Sequence, residues 1–156
     1  MIDVVQALDL LEQCVSERGC GYVYAPKWSA RDGYSTCQYV HNGKPDCIIG
    51  LAFAKSGVPV ETLQTLSGDR LAGLHSEHRL PIHLTLGALV VFRAAQRAQD
   101  QGLSWGVALR QATLIAGRYF DLIPAAIVAD AFDRYGAETG ARDSREQWGD
   151  HRIRGR

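Results

Sequence analysis

The residues of this sequence best suited to chemistry surround a predicted turn. The stretch TCQYVHNGKPDCIIGLAF, residues 36–53, reads as a strand, an Asn-Gly turn and a buried helix, with Asp46 as the expected N-cap and Cys47 in the first turn. Unpaired N–H groups and the positive end of the helix dipole would stabilise a Cys47 thiolate. His41, across the turn, would act as its base, in a pocket near Tyr39 between hairpin and helices.

A structural role for the same cysteines is the favoured interpretation. Free cysteine commonly behaves as a small buried hydrophobe, and Cys37 and Cys47 would then pack where the hairpin meets the helix. The sequence supplies neither a third group to orient His41 nor an oxyanion hole. We therefore expect a protein without catalysis, with Cys47 and His41 as the catalytic candidates of the alternative, a small enzyme or ligand-sequestering protein.

Metal binding is the second chemistry that the residue types allow. Cys37 and Cys47, with His41 or His75, would supply soft ligands suited to zinc, and His78 follows His75 at a spacing that fits one helix face. However, the sequence contains no Cys-x-x-Cys pair. We predict no metal and no other cofactor, and keep a zinc-stabilised domain as an alternative.

Anion binding is a third possibility with local patterns behind it. Gly43 and Lys44 precede a helix start that would hold an anion, although a turn with a solvated lysine is the simpler interpretation.

Nucleic-acid binding is the fourth hypothesis. Arg93 and Arg97 lie four residues apart on a predicted helix. The chain has 17 basic and 17 acidic residues, and this neutrality argues against a broad attraction to nucleic acid.

The composition indicates one ordinary globular domain. The chain has 156 residues, of which 46% are hydrophobic and 22% charged, enough for a core without disulfide or metal support. Its beginning, MIDVVQALDLLEQ, does not resemble a signal peptide, and its longest apolar runs are too short to cross a bilayer. We expect a cytoplasmic protein with reduced thiols and no membrane contact.

The pattern of elements predicts an α+β fold, mostly helical, with a small antiparallel hairpin towards the N-terminus. Asp3 caps a first helix that ends at Gly19, and residues 21–25 and 35–41 read as the two strands of the hairpin. Further helices follow, the long one over residues 85–101 and a last one from Pro124. We assign residues 1–136 to a single globular domain and residues 137–156 to an Arg-rich polar tail.

Two stretches resemble a known group of proteins. The run CVSERGCGYVYAPKWSARDGYSTCQYVHNGKPDCIIGLAFAKSG and the later AQRAQDQGLSWGVAL resemble a family of small uncharacterised proteins of actinobacteria and their bacteriophages. The resemblance covers roughly residues 1–112. It implies a phage or actinobacterial source and no known reaction.

Large aromatic residues in polar surroundings predict contact surfaces for a partner. Trp28 lies in a polar loop, and Trp148 lies in the tail beside Arg145, Arg152 and Arg154. The polar face of the helix over residues 85–101 is a third such surface. We expect a binding or accessory protein that contacts a host protein or another copy of itself, with nucleic acid as a less favoured partner of the tail.

Overall fold

The computed structural model describes residues 1–25, 38–66 and 69–120, without the side chains of 119 and 120, and the backbone of 27–28 and 35–36. Within these residues the chain forms six helices and two two-stranded antiparallel sheets. In order the elements are α1 (Val4–Arg18), β1 (Lys27–Trp28), β2 (Ser35–Thr36), β3 (Val40–His41), β4 (Lys44–Pro45), α2 (Ile48–Lys55), α3 (Val60–Thr65), α4 (Leu71–Ser76), α5 (Leu86–Asp100) and α6 (Trp105–Phe120). The predicted α+β class, mostly helical with a small hairpin, is confirmed. The predicted last helix and the tail over residues 137–156 lie outside the described residues.

Helix α1 begins and ends where the sequence predicts. Asp3 accepts a hydrogen bond from the Gln6 backbone N–H, and the Gln6 side chain accepts one from the Asp3 backbone N–H, so a capping box closes the first turn. Gly19 ends the helix with a φ of 93°, which a residue with a Cβ rarely adopts. The two ends are therefore set by local chemistry.

The hairpins differ in position from the prediction. Strands β1 and β2 form one hairpin, and the Asn42-Gly43 turn joins β3 and β4 into a second, with both turn residues at positive φ. The predicted strand over residues 21–25 is wrong, because this segment pairs with the start of α6 instead. Val23 forms an isolated bridge with Ser104.

The core lies among α1, α2, α5 and α6. Helices α5 and α6, joined by a four-residue connection, form the most extensively packed pair, and α1 packs against α2, α5 and α6. Phe53 of α2 and Phe92 of α5 meet edge to face with ring centroids 5.5 Å apart. Thr85 caps α5, because its side chain accepts a hydrogen bond from the Ala88 backbone N–H.

None of the helices within the described residues is long and apolar enough to span a membrane. Within this part of the chain, no disulfide joins Cys14, Cys20 and Cys47.

Candidate functional site

The start of α2 is built by Cys47 itself. Cys47 is the N-cap residue, and its Sγ accepts a hydrogen bond from the Gly50 backbone N–H at 3.3 Å. The prediction that Asp46 caps the helix is wrong by one residue. Asp46 still belongs to the extended chain, because its backbone N–H donates to the carbonyl oxygen of Tyr39 at 3.0 Å.

A buried glutamine completes this helix start. The side-chain oxygen of Gln99, on α5, accepts a hydrogen bond from the Ile48 backbone N–H at 2.8 Å, and the Gln99 residue is wholly buried. Two of the N–H groups that would receive an anion are thus already satisfied, one by Gln99 and one by Cys47. The helix start therefore offers fewer free N–H groups to an anion near Lys44 than the sequence predicts.

The two catalytic candidates, Cys47 and His41, differ in how enclosed they are. Cys47 is 0% exposed, so a substrate cannot reach its sulfur without opening the core. His41 is half-buried, and its Nδ1 is hydrogen-bonded to the side-chain oxygen of Gln38 at 3.2 Å. Close packing adds to the enclosure, since a Cβ on Gly50 would overlap the backbone of Tyr39. The geometry fits a packed structural corner.

The metal candidates within the described residues are not gathered into a centre. His75, in the last turn of α4, and His78, just beyond it, are both exposed, whereas Cys47 is buried in the core. No group of three or more His, Cys, Asp or Glu residues within the described ranges could hold a metal ion. Cys37 lies outside these ranges.

The predicted partner-binding residues lie outside the part of the chain whose side chains are described. This holds for Trp28, whose backbone alone is placed in β1, and for the tail residues Trp148, Arg145, Arg152 and Arg154. These residues therefore stay predictions.

An open groove along α5, here called the arginine groove, is a described surface on which positive charge is clustered. It encloses about 830 Å³ between α4, α5 and α6. Arg93 and Arg97 of α5 line the groove. Arg70, the residue that precedes α4, lines it as well. Asp100 is the one acidic residue among its described lining residues, so the groove carries a formal charge of +2 there.

The arginine groove also offers apolar surface and amide groups. Its apolar lining includes Val90, Ala94 and Ile115, and its amides are Gln96, Gln101 and Gln111. Helix spacing explains the set, because positions 90, 93, 94 and 97 share one face of α5 and Gln101 follows at the end of the helix. A mixed surface of this kind can bind both the charge and the apolar side chains of a partner.

Gln96 places an amide at the wall of the arginine groove. The residue as a whole is only 7% exposed, and no hydrogen bond joins its side chain to another residue in the described part of the chain. Its amide atoms are not among the fully buried side-chain atoms of the described residues that lack a hydrogen bond, so solvent reaches them from the groove. The amide is therefore available to a bound molecule.

Asp100 connects the arginine groove to the corner at Cys47. The Gln99 side-chain N–H donates to the Asp100 carboxylate at 3.4 Å, and the same Gln99 accepts from Ile48. Partial desolvation raises the pKa of Asp100, while the hydrogen bond from Gln99 and the charge of Arg70 act in the opposite direction. The groove and the start of α2 therefore share one hydrogen-bonded chain.

A second charged surface, here called the acidic surface, lies along α1. Asp9, Glu12 and Glu17 line a shallow depression of about 600 Å³ together with Gln13, Ser16 and Lys55. The Glu17 carboxylate oxygen Oε2 forms an ion pair with Lys55 Nζ at 2.6 Å. Three carboxylates and one lysine leave a formal charge of −2 on this surface.

Sequence reasoning found only part of the arginine groove. The spacing of Arg93 and Arg97 was its single sequence signal, whereas Arg70 and Gln111 belong to other parts of the chain.

Comparison with known proteins gives no match: no protein-family model, curated protein or solved structure matches this chain.

Proposed function

We propose that this protein is a non-catalytic binding protein that holds an acidic segment of another protein in the arginine groove. The carrying observation is the groove itself, in which Arg70, Arg93 and Arg97 surround apolar surface and the amide of Gln96. The family resemblance supports a phage-encoded accessory protein in the cytoplasm of a bacterial host. The partner is then a host protein or another copy of this chain.

The chemistry of the arginine groove favours a protein segment over a small molecule. Guanidinium groups bind carboxylates in a bidentate fashion, and the apolar lining would cover the hydrophobic side of an amphipathic segment. The amides of Gln96, Gln101 and Gln111 can donate to and accept from a peptide backbone. An amphipathic acidic helix combines all three features.

Nucleic acid is the less favoured partner of the same groove. Base stacking on aromatic side chains is the usual means of holding single strands, and the described lining residues include no aromatic side chain. The acidic Asp100 also lies within the lining, where it would repel a phosphate. Both observations point to a protein segment.

Selection of peptides from a random display library tests the proposal. We expect the wild-type protein to enrich amphipathic peptides with Asp or Glu, and R93E/R97E to lose them. Each exposed arginine–carboxylate pair contributes up to about 1 kcal/mol, so the double reversal should weaken an enriched peptide about tenfold or more in fluorescence anisotropy.

A matched control separates the groove from general charge. Arg97 and Arg118 are both exposed and helical, so R97E and R118E change the net charge equally, and only R97E should weaken the peptide. Equal loss from both variants would contradict the proposal, and so would enrichment of basic peptides. Tighter binding of a single-stranded oligonucleotide through the same arginines would assign the groove to nucleic acid instead.

A further inference from the structure

The chain that follows α6 has the sequence features that the arginine groove would bind. Residues 121–136, here called the post-α6 segment, contain three acidic residues and one arginine, so their formal charge is −2. Pro124 predicts a helix start, because proline fits the first helical turn. Helical spacing then predicts one apolar face made of Ile127, Val128, Ala131, Phe132 and Tyr135. The sequence therefore predicts an amphipathic acidic helix, the class of partner proposed for the groove.

Two arginines of the groove have no acidic partner within the described residues. The charge of Arg70 acts on the Asp100 carboxylate, so these two charges partly offset each other. Arg93 and Arg97 are both exposed, and neither forms an ion pair with an acidic residue of the described ranges. The uncompensated positive charge of the groove therefore lies on one face of α5. Two neighbouring carboxylates would complement it.

Chain connectivity would return the post-α6 segment to this groove. Helix α6 itself lines the groove through Gln111 and Ile115. Three residues separate the end of α6 from Pro124, and connections of this length join antiparallel neighbouring helices. Because two helices share the same rise per residue, Asp133 would return to about the level of Gln111, and Asp130 to about that of Ile115. Both carboxylates would thus reach the part of α6 that lines the groove.

The apolar surfaces correspond as well as the charges. Val90, Ala94 and Ile115 are half-buried, so each leaves apolar surface in the groove available for contact. The predicted apolar face of the post-α6 segment would cover this surface. Asp130 and Asp133 are three residues apart and fall on the same side of that face, so both can point towards the arginines of α5.

Covalent attachment favours this occupant over a free one. A ligand on a short tether has an effective concentration on the order of millimolar, so even a weak contact is largely formed. We propose that the post-α6 segment occupies the arginine groove of its own chain, and that a partner must displace it to bind. This inference rests on the proposed function and adds the regulation of the same groove. The apparent affinity for a partner is then reduced by the fraction of molecules whose groove is open.

Hydrogen exchange of the full-length chain, read by mass spectrometry, tests the contact. R93E/R97E should accelerate exchange over residues 124–135 at least about threefold, because the contact loses two ion pairs and gains repulsion. This variant leaves the sequence of residues 124–135 unchanged, so faster exchange there reports a lost contact. The fourfold variant R93E/R97E/D130R/D133R reverses both sides together and should restore slow exchange. Exchange that R93E/R97E leaves unchanged would overturn the inference.

A matched control separates the contact from general charge. D143R/E146R makes the same change of net charge as D130R/D133R, at the same three-residue spacing, beyond the post-α6 segment. It should leave exchange over residues 124–135 as in the wild type. Circular dichroism and thermal unfolding verify that every variant folds. Light scattering after size exclusion should give a monomer, and a dimer that D130R/D133R dissociates would place the segment in the groove of another copy instead.

The free segment supplies a second measurement. A labelled synthetic peptide with the sequence of residues 121–136 should bind full-length D130R/D133R at least about tenfold more tightly than the wild type, because reversal opens the groove. Fluorescence anisotropy measures the affinity. R93E/R97E should not bind the peptide, and D143R/E146R should bind it as the wild type does. Equal tightening in D130R/D133R and D143R/E146R would overturn the inference.

Failure of this inference is distinguishable from failure of the proposed function. If D130R/D133R binds acidic peptides no more tightly than the wild type does, the post-α6 segment does not close the groove. Should the peptides selected from the display library still bind the wild type through its arginines, the proposed function stands with an open groove. If acidic peptides bind neither the wild type nor D130R/D133R, both fail.

Discussion

Gly50 sets how closely the chain before β3 approaches α2. An ideal Cβ at this position would lie within 2.8 Å of backbone atoms of Tyr39, and neither the backbone of Tyr39 nor the buried first turn of α2 has room to move. Gly73, in α4, has open space around the same position. A Cβ therefore does not fit at Gly50, whereas it fits at Gly73.

We predict that Gly50→Ala lowers the free energy of unfolding by about 3 kcal/mol through overpacking. Gly73→Ala should raise it by about 0.5 to 1 kcal/mol, because alanine restricts the unfolded chain and favours helix. Urea denaturation of both variants measures the difference. Equal stabilities would show that the approach of Tyr39 to α2 is not tight in solution.

Cys14 is a residue whose ionisation is linked to folding. Burial raises the pKa of its thiol from about 9 to about 12, a rise that the charge of Lys55 opposes. Its Sγ–H donates to the carbonyl oxygen of Ile48 at 3.8 Å. The folded state therefore holds the neutral thiol at pH values where the unfolded chain would lose its proton.

We predict that this thiol makes the protein less stable as the pH rises from about 9 to about 12. In that window the unfolded state binds fewer protons than the folded state, so the free energy of unfolding should fall by about 1.4 kcal/mol per pH unit. Below pH 9 both states keep the proton and the slope vanishes. Denaturation of the wild type and Cys14→Ala across this range isolates the contribution, and parallel curves would refute it.

At the scale of elements, α2 depends on α5 for its first turn. The Ile48 N–H has its acceptor on Gln99, 51 residues further along the chain, within a wholly buried environment. Without that acceptor a buried donor would be left without a hydrogen bond, which costs more than the bond itself contributes. The position of α5 thus decides whether α2 can begin at Ile48.

We predict that Gln99→Met, which keeps the side-chain length, lowers the free energy of unfolding by about 1 to 3 kcal/mol. Hydrogen exchange at the Ile48 amide should become faster in the same variant. Gln101→Met, at an exposed position just past the end of α5, is the matched control. It should change neither the free energy of unfolding nor the exchange rate at Ile48. Unchanged exchange at Ile48 in Gln99→Met would mean that the amide has another acceptor.

At the scale of the whole molecule, the first residues close the fold. The Ile2 N–H donates to the His83 carbonyl at 2.8 Å, and the Thr85 N–H donates to the Ile2 carbonyl at 2.9 Å. The Ile2 side chain is 5% exposed and belongs to the core. The entry to α1 is thereby joined to the entry to α5.

We predict that Ile2→Ala lowers the free energy of unfolding by about 2 to 4 kcal/mol, through lost burial and the remaining cavity. Val5→Ala, at a position that is 52% exposed on α1, should change it by less than about 0.5 kcal/mol. Thermal and chemical unfolding of the two variants provide the comparison. A small effect at Ile2 would indicate that the first residues are not part of the cooperative unit.

The same scale explains how a neutral chain presents strong local charge. The acidic surface belongs to α1 and the arginine groove to α4, α5 and α6, so the fold separates charges that cancel in the composition. Net charge therefore excluded a broad electrostatic attraction but could not reveal these surfaces. Their positions follow from which helix faces the core leaves outside.

The sequence by itself determined the features that depend on neighbours within about four residues. The capping box of α1, the Asn42-Gly43 turn and the Thr85 cap of α5 were all predictable, because each requires a particular residue within one turn of chain. The mostly helical α+β class followed from the same local signals. The helical spacing of Arg93 and Arg97 was visible for the same reason.

Only the tertiary structure decided the features that join distant residues. It placed Gln99 at the start of α2, made Cys47 an enclosed cap, paired Val23 with Ser104, and brought Arg70 beside the arginines of α5. The physical reason is that local pattern sets which face a helix buries but leaves open which element covers it. Packing of the helices around one core resolved that choice, and with it the position of the arginine groove.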